Sequence, residues 1–378
     1  MADQALARDL LVEMRGSLAA HGDRNFLMTQ SLAWPDLLTA LVQGQDMDEQ
    51  ATKWAMTQIL SGDVPAATMA AFMVAVRAKG ETVDEVAGLS EAMLDKAATV
   101  QLDTDAVDIV GSGGDRANTV NISTMAAVVA AAAGARVVKH GNRAASSQCG
   151  TADVLEQLGL QLRVNPEAQA EVLRRAGIVF LFAPMYHASL KYTAPIRREL
   201  AIQTTFNFLG PLSNPARPQA AAIGIANLRM AELVAGVLAK RGGRGMVFHG
   251  DDGLDELTTT TTSDLWLYRD GQLQRTELDP RSLGISAARP ADLVGGDPSE
   301  NAGIFRELLA GKPGPVRDIV TLNAAAALLA FDGPQLAVAV TEQFQPYLER
   351  VNTAIDDGSA AEVLDRWIEA TQTAALAD

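Results

Sequence analysis

An α/β protein, with a small discontinuous all-helical domain plus a larger α/β domain whose mostly parallel central sheet is flanked by helices, follows from three features of the 378-residue sequence. Up to about residue 98 the apolar positions recur at helical spacing and no strand-like alternation is convincing. From Ala106 onward short β-prone runs alternate with helical patterns, the order expected of a parallel sheet covered on both faces. Between Pro184 and Pro218 the alternation lapses into a turn-rich insertion that can cross back to the helical unit. At 48% hydrophobic content a chain of this length buries a large core, more readily as two domains than one.

Residues 1–32 are weakly patterned and read as an N-terminal extension, expected to be disordered. Residues 33–103 form the helical domain, completed by about 186–204; residues 104–185 and 205–378 form the α/β domain. Pro35 opens a helix carrying Leu38, Leu41 and Val42, and Ala51, Trp54, Ala55 and Ile59 share one face of a second. Pro65 precedes a third, with Met69, Phe72, Met73 and Val76 inside, and Thr82 with Glu85 makes a capping box for a fourth. This methionine and tryptophan stripe serves either as bundle interior or as part of an exposed apolar face that dimerises. Strands are expected at VDIV, RVVKH, IVFLF, AAIGI and GMVFHG, then a hairpin over Leu265–Leu278 with Asp270-Gly271 at its turn. Helices follow around Asn301–Leu309, Val316–Leu329, Tyr347–Asp356 and Ala360–Ala370, where packing explains the alanine and leucine content.

The balance of 31 basic against 46 acidic residues, net −15, disfavours nucleic acid as a bulk partner, because such proteins need a basic stripe. A single cysteine, Cys149, excludes an intrachain disulfide and a cysteine-rich metal site; it reads as a partly buried, inert thiol. The first residues, MADQALARDLLVEMRG, lack a long apolar core, and the most apolar stretch, Met125–Val138, is too short to span a bilayer. No membrane is expected, and the cytoplasm is the expected location.

Two polar clusters, GSGGD (Gly111–Asp115) and KHGNRAASS (Lys139–Ser147), each follow a short aliphatic run, with Asn121, Ser123 and Thr124 at the start of the intervening helix. Glycine-rich backbone leading from a strand into a helix points several N–H groups at an anion, so a phosphorylated or pyrophosphorylated ligand is expected. Gly111, Gly113 and Gly114 permit a tight turn; Asp115 either accepts N–H bonds within the loop or holds a ligand hydroxyl. The second cluster is either a solvated loop with Ser146 or Ser147 capping a helix, or a phosphosugar site using Lys139 and the adjacent polar groups. Arg143 either joins that site or buttresses the loop by pairing with an acid. Asp255 and Glu256 follow a strand and form either a solvated acidic turn or an Mg²⁺ site completed by substrate phosphates. Of Arg197 and Arg198, one can pair with Glu199 or Asp153 while the other receives a substrate carboxylate.

GSGGD, NIST, KHGNRAASS, GTADVLEQLG, FAP…H, IRREL, FNFLGPLSNP and DGLDE occur here in the order found in anthranilate phosphoribosyltransferases, and the chain resembles that family from about Trp34 to its C-terminus. DDGLDELTTTTT and the N-terminal extension are most similar to its actinobacterial branch. The resemblance implies transfer of the phosphoribosyl group from 5-phosphoribosyl 1-pyrophosphate to the amine of anthranilate, with release of pyrophosphate, in tryptophan biosynthesis. It implies a homodimer formed through the helical domain, and Mg²⁺, two ions bound with the phosphoribosyl donor. Gly111, Gly114, Asp115, Thr119, Asn121, Ile122, Ser123, Thr124, Lys139, His140, Gly141, Asn142, Arg143, Ala144, Ala145, Ser146, Ser147 and Thr151 fall at donor-wrapping positions. Ser123, Asp255 and Glu256 fall at metal positions; Gly111, Asn142 and Arg197 fall at acceptor positions. Lys139, Asn142 and Arg197 are the expected catalytic set, serving leaving-group charge and acceptor placement. Family members commonly have Thr at Ser112, Gly at Arg116, Ser at Thr151, Pro at Ala188 and Arg at Gln203. Two alternatives share the architecture: a pyrimidine nucleoside phosphorylase-like enzyme, and a non-catalytic relative that binds nucleic acid. The KHGNR and GPLSNP motifs favour the transferase over the first, and the acidic balance opposes the second.

Overall fold

The computed structural model describes residues 32–144 and 147–376, so residues 1–31 of the expected extension lie outside the described residues. Helix α1 (Trp34–Val42) starts on Pro35 and buries Leu37, Ala40 and Leu41. Val42, which the expected helix carries, is 81% exposed because the buried stripe lies one residue round the helix from Leu38 and Val42. Helix α2 (Glu49–Ser61) is capped by Asp48, which accepts from the Ala51 N–H at 2.7 Å, and ends at Gly62 in the left-handed region. Helix α3 (Ala66–Lys79) buries Met69, Phe72, Met73 and Val76 as expected. The Thr82–Glu85 capping box opens α4 (Val83–Asp95).

Seven strands form one sheet: β1 (Val107–Gly111), β2 (Val137–Gly141), β3 (Ile178–Phe182), β4 (Ala220–Gly224), β5 (Arg244–Gly250), β6 (Ser263–Arg269) and β7 (Gln272–Leu278). Their order is β3-β2-β1-β4-β5-β6-β7. The first five run parallel, and the β6–β7 hairpin is antiparallel. Its turn residues Asp270 and Gly271 both take positive φ, as a two-residue hairpin turn requires.

Helices α5 (Ile122–Ala132), α6 (Thr151–Leu158) and α7 (Gln169–Ala176) link the first strands. The insertion holds the short α8 (Ala183–Tyr186) and α9 (Ala194–Leu200), and α10 (Leu228–Lys240) joins β4 to β5. Helices α11 (Pro298–Leu309), α12 (Pro315–Asp332), α13 (Val340–Asp356) and α14 (Ser359–Leu376) complete the chain. α13 begins well before the expected Tyr347 and takes Pro346 into its interior.

Strand alternation divides the core. Ala220 and Ala222 of β4 face a core shared with α5–α7 and α11–α14, whereas Ala221 and Ile223 face α10 and the N-terminal helices. Leu190, Ile196 and Leu200 of the insertion pack against this second core, so the segment does return to the helical unit. Strand order reverses between β1 and β4, which opens a crevice at their carboxyl ends.

Candidate functional site

Gly111 and Gly224 stand opposite one another where β1 and β4 end. The segment after β5 crosses this pair so closely that a β-carbon on either glycine would run into Asp255. Gly111 was legible as a loop glycine; Gly224 was missed, because its partner is a backbone more than 30 residues away. The Gly113 N–H donates to Asp255 Oδ2 at 2.5 Å. The loop then takes left-handed backbone at Gly113, Gly114, Arg116 and Asn118, with φ of 72°, 88°, 62° and 52°. Asp115 caps its own loop by accepting from the Ala117 N–H at 3.3 Å. Beyond it Thr119 bridges to Val294, and the Val120 N–H donates to the Leu293 carbonyl at 3.0 Å, which fixes the far side.

Asn121 precedes α5, yet its side chain does not cap the helix. It donates to the Cys149 carbonyl at 3.2 Å and accepts from Asn301 Nδ2 at 2.9 Å and Cys149 Sγ at 3.3 Å, tying three loops together. Ser123 and Thr124 lie within the first turn of α5, not at its cap; Thr124 Oγ1 donates to Thr151 Oγ1 at 3.2 Å. Ile122 is buried in the core, so only its backbone faces the loop.

Lys139 lies in the strand expected at RVVKH, but not as an accessible point charge. It is fully buried in β2 and its ammonium donates to the Ile109 carbonyl and, at 3.2 Å, to Ser123 Oγ. Burial pulls its pKa below the usual lysine value, opposed by Asp108, Glu256 and Asp255. The ammonium therefore lies beneath the crevice in the field of the Asp255–Glu256 pair, not at its mouth. Asp255 and Glu256 are 8% and 7% exposed. Burial raises both carboxyls, with Asp115 the next influence on Asp255 and Asp255 the next on Glu256. A solvated acidic turn is thus excluded. Asp108, overlooked in the sequence, is buried alongside; burial raises it to about 6 despite Lys139 and bonds from Asn214 Nδ2 at 2.9 Å and the His140 N–H at 3.2 Å.

His140 lies one residue before the end of β2 with its ring 5.2 Å from that of His187, and its Nε2 is buried without a partner among the described residues. Burial and His187 push it down to about 3, so it is neutral. His187 Nε2 bonds the Ser213 carbonyl at 2.8 Å, and Asn214 also donates to the Val138 carbonyl at 2.8 Å. The FAP…H and GPLSNP motifs thus meet at the end of β2.

After Gly141, Asn142 is exposed; its Oδ1 accepts from the Arg143 N–H at 2.8 Å and its carbonyl from the Ala152 N–H at 3.2 Å. Arg143 takes the buttressing role: its guanidinium binds Asp153 and Glu156, both at 2.9 Å, and does not enter the crevice as a free cation. Asp153 also accepts from the N–H groups of Ala144 and Gly150, at 3.0 and 2.9 Å. Gly150, not a serine, caps α6, and Ser147 Oγ only reaches the Cys149 carbonyl at 3.5 Å. Ala145 and Ser146 lie outside the described residues. Cys149 is buried, and burial raises its thiol pKa.

Arg197 on α9 is half-buried with no hydrogen bond or ion pair to any described residue, and burial alone lowers its pKa. Asp153, a possible partner in the sequence, is committed to Arg143. Gln203 Nε2 lies 3.0 Å from where a β-carbon on Gly114 would stand, so the insertion reaches the glycine loop.

Among the described residues no three His, Cys, Asp or Glu side chains converge as a self-contained cation cage. Ser123, Asp255 and Glu256 instead supply two carboxylates and a hydroxyl, hard oxygen donors too few to enclose an ion alone. That donor set fits Mg²⁺, which keeps waters and takes substrate oxygens.

A glycosyl transferase family α/β domain model matches residues 103–361, and the helical bundle domain of the same family matches residues 35–97. An anthranilate phosphoribosyltransferase of Acidothermus cellulolyticus is 56% identical over 342 residues, covering 90% of this chain and 96% of the relative. That of Thermobifida fusca is 54% identical over 342 residues, covering 90% and 98%. The crystal structure of anthranilate phosphoribosyltransferase from Thermus thermophilus superposes with a TM-score of 0.82 at 35% identity, covering 89% of this chain and 99% of that one. The Saccharomyces cerevisiae enzyme in complex with phosphoribosyl pyrophosphate and Mg gives 0.80 at 25% identity, covering 91% and 99%.

Proposed function

The chain belongs to the anthranilate phosphoribosyltransferase family, and from that premise we propose how its residues divide the reaction between donor and acceptor. It transfers the phosphoribosyl group of 5-phosphoribosyl 1-pyrophosphate to the amine of anthranilate and releases pyrophosphate. The named relatives favour this over a nucleoside phosphorylase or a nucleic-acid-binding relative. The observation that carries the site assignment is the pair of buried carboxylates, only partly offset by Lys139, at the β1–β4 switch point, crossed by a glycine loop with four left-handed residues.

The bond from the anomeric carbon to the pyrophosphate oxygen breaks as the amine nitrogen bonds that carbon from the opposite face. Charge gathers on the leaving diphosphate and must be neutralised there. Backbone N–H groups of the glycine loop and of the Lys139–Ser147 loop that are not already bonded within the protein, with the Ser123 hydroxyl, are the donors to it. Ser123, Asp255 and Glu256 would hold Mg²⁺, two ions in our reading, whose positive charge offsets the phosphates. Lys139 acts from beneath: its ammonium holds Ser123 Oγ and partly offsets the two carboxylates. Arg197, an unpaired and half-buried guanidinium, suits the planar carboxylate of anthranilate in a bidentate fork. Asn142 orients the acceptor from the other side. The aromatic amine is a weak base whose proton becomes acidic only as the new bond forms, so no dedicated protein base is assigned; neutral His140 and its unpartnered Nε2 border this region.

Mixing the protein with Mg²⁺, phosphoribosyl pyrophosphate and anthranilate should extinguish anthranilate fluorescence. Persistent fluorescence with intact donor would discard the reading. The proposal extends to a cytoplasmic homodimer joined through residues 33–103 and about 186–204, supported by exposed Val42 and Val74 on the helical unit. Sedimentation at a monomer's mass would remove the dimer.

A further inference from the structure

Helix α12 is alanine- and leucine-rich and packs along β1, β4 and β5, yet its centre carries an asparagine, Asn323, with no solvent exposure. A buried amide is costly unless all its polar atoms are used. Those of Asn323 are used on one target. Its Oδ1 accepts from the Leu257 N–H at 3.0 Å, and its Nδ2 donates to the Leu257 carbonyl at 2.9 Å and to the Ile319 carbonyl at 2.9 Å. The side chain thus grips both backbone groups of Leu257 as a neighbouring strand would, and Leu257 directly follows Glu256. Upstream, Asp252 closes the same turn by accepting from the Leu254 N–H at 3.2 Å and the Thr258 hydroxyl at 2.7 Å. No strand continues past Gly250 here, so without Asn323 the buried Leu257 N–H would have no partner among the described residues.

We infer that Asn323 is a positioning residue for the divalent-cation site, fixing the peptide from which the Glu256 carboxylate projects. The inference rests on the proposed cation role of Asp255 and Glu256. Partners that bond a metal ligand directly change affinity about 10–100-fold when lost, and Asn323 acts one peptide further out through Leu257, so the lower end, about tenfold, is expected. Only an amide supplies both a donor and an acceptor to one residue's backbone at this reach: Asn323→Asp keeps the shape and sets oxygen against the Leu257 carbonyl.

The test is Mn²⁺ binding by the full chain with phosphoribosyl pyrophosphate, read as loss of the free-ion electron paramagnetic resonance signal, alongside amide exchange over residues 251–262 without metal. Asn323→Asp should weaken Mn²⁺ binding about tenfold and speed exchange at Leu257. Leu328→Ala, a buried change on the same helix, should lower the melting temperature and leave Mn²⁺ affinity unchanged. Asn323→Ser carries the same test if Asn323→Asp does not fold. Affinity within twofold of wild type in the Asn323 variant, or an equal loss in Leu328→Ala, overturns the positioning role. Wild-type protein that takes up no Mn²⁺ removes the cation reading itself, a result distinct from either.

Discussion

Among the described residues two acidic clusters are buried, and they are built to opposite ends. Where the helical unit meets α10, Glu81 accepts from Thr205 Oγ1 at 2.7 Å and Arg229 at 2.5 Å, with Arg77 at 3.4 Å. Beside it Glu85 pairs with Lys79 at 2.9 Å. Burial alone would raise the Glu81 carboxyl, yet the bonds from Thr205 and Arg229 hold it below the usual range. At the β1–β4 switch point Asp255 and Glu256 face each other and Asp115, with Lys139 the only nearby cation among the described residues, and burial raises both. A cluster that serves the fold is charge-balanced from within. A cluster left unbalanced at a crevice requires something from outside.

Neutralising each cluster should separate the two most sharply. Asp255→Asn with Glu256→Gln should cut turnover by roughly a thousandfold across a magnesium titration while raising the thermal midpoint of the metal-free protein. Wild-type-like rates would break the contrast. Glu81→Gln should do the reverse: a loss of roughly 2 kcal/mol in stability by denaturant titration, with kcat of the folded enzyme unchanged.

The same comparison sets the pH response. Glu81 is depressed in the fold, so its contribution is complete above its ordinary value of 4.5 and is lost as pH falls through the lower folded value. Asp108 is raised from 3.8 to about 6, so the fold favours its protonated form and its contribution is lost as pH rises through that window. Stability measured against pH should show a Glu81-dependent acid limb that Glu81→Gln flattens.

Smaller effects sharpen the acceptor side and the loop. Arg197→Ala should raise the anthranilate KM roughly ten- to a hundredfold and leave the donor KM nearly unchanged; an unmoved anthranilate KM would discard its carboxylate role. Arg116 holds φ of 62° in a loop where family members commonly have glycine. Arg116→Gly should therefore stabilise by about 1 kcal/mol or less, seen as a small rise in melting temperature. A fall would show that the arginine side chain makes compensating contacts.

Local pattern carried the elements well, because helix caps, hairpin turns and strand alternation are set by near neighbours. Thr82–Glu85, Asp270-Gly271 and the glycine loop all stand where sequence chemistry puts them. The motif resemblance likewise brought Ser123, Asp255, Glu256 and Arg197 into view. What sequence could not show was which side chains are spent on the protein itself. Arg143 reads equally as a ligand-binding cation or a loop buttress until Asp153 and Glu156 take it, and Lys139 reads as an available charge until the fold buries its ammonium under β1. Asp108, Asn301 and Asn323 carry no local signal, since each has its main partner between roughly 60 and 180 residues away. The amino-acid order by itself determined the succession of helices and strands and the supply of glycine-rich backbone and oxygen-donor groups, because these follow from interactions within a few residues. Only the tertiary structure decided which charges are compensated and which are left exposed to a ligand, because the energy of a buried charge depends on partners that the folded sheet and helices alone bring together.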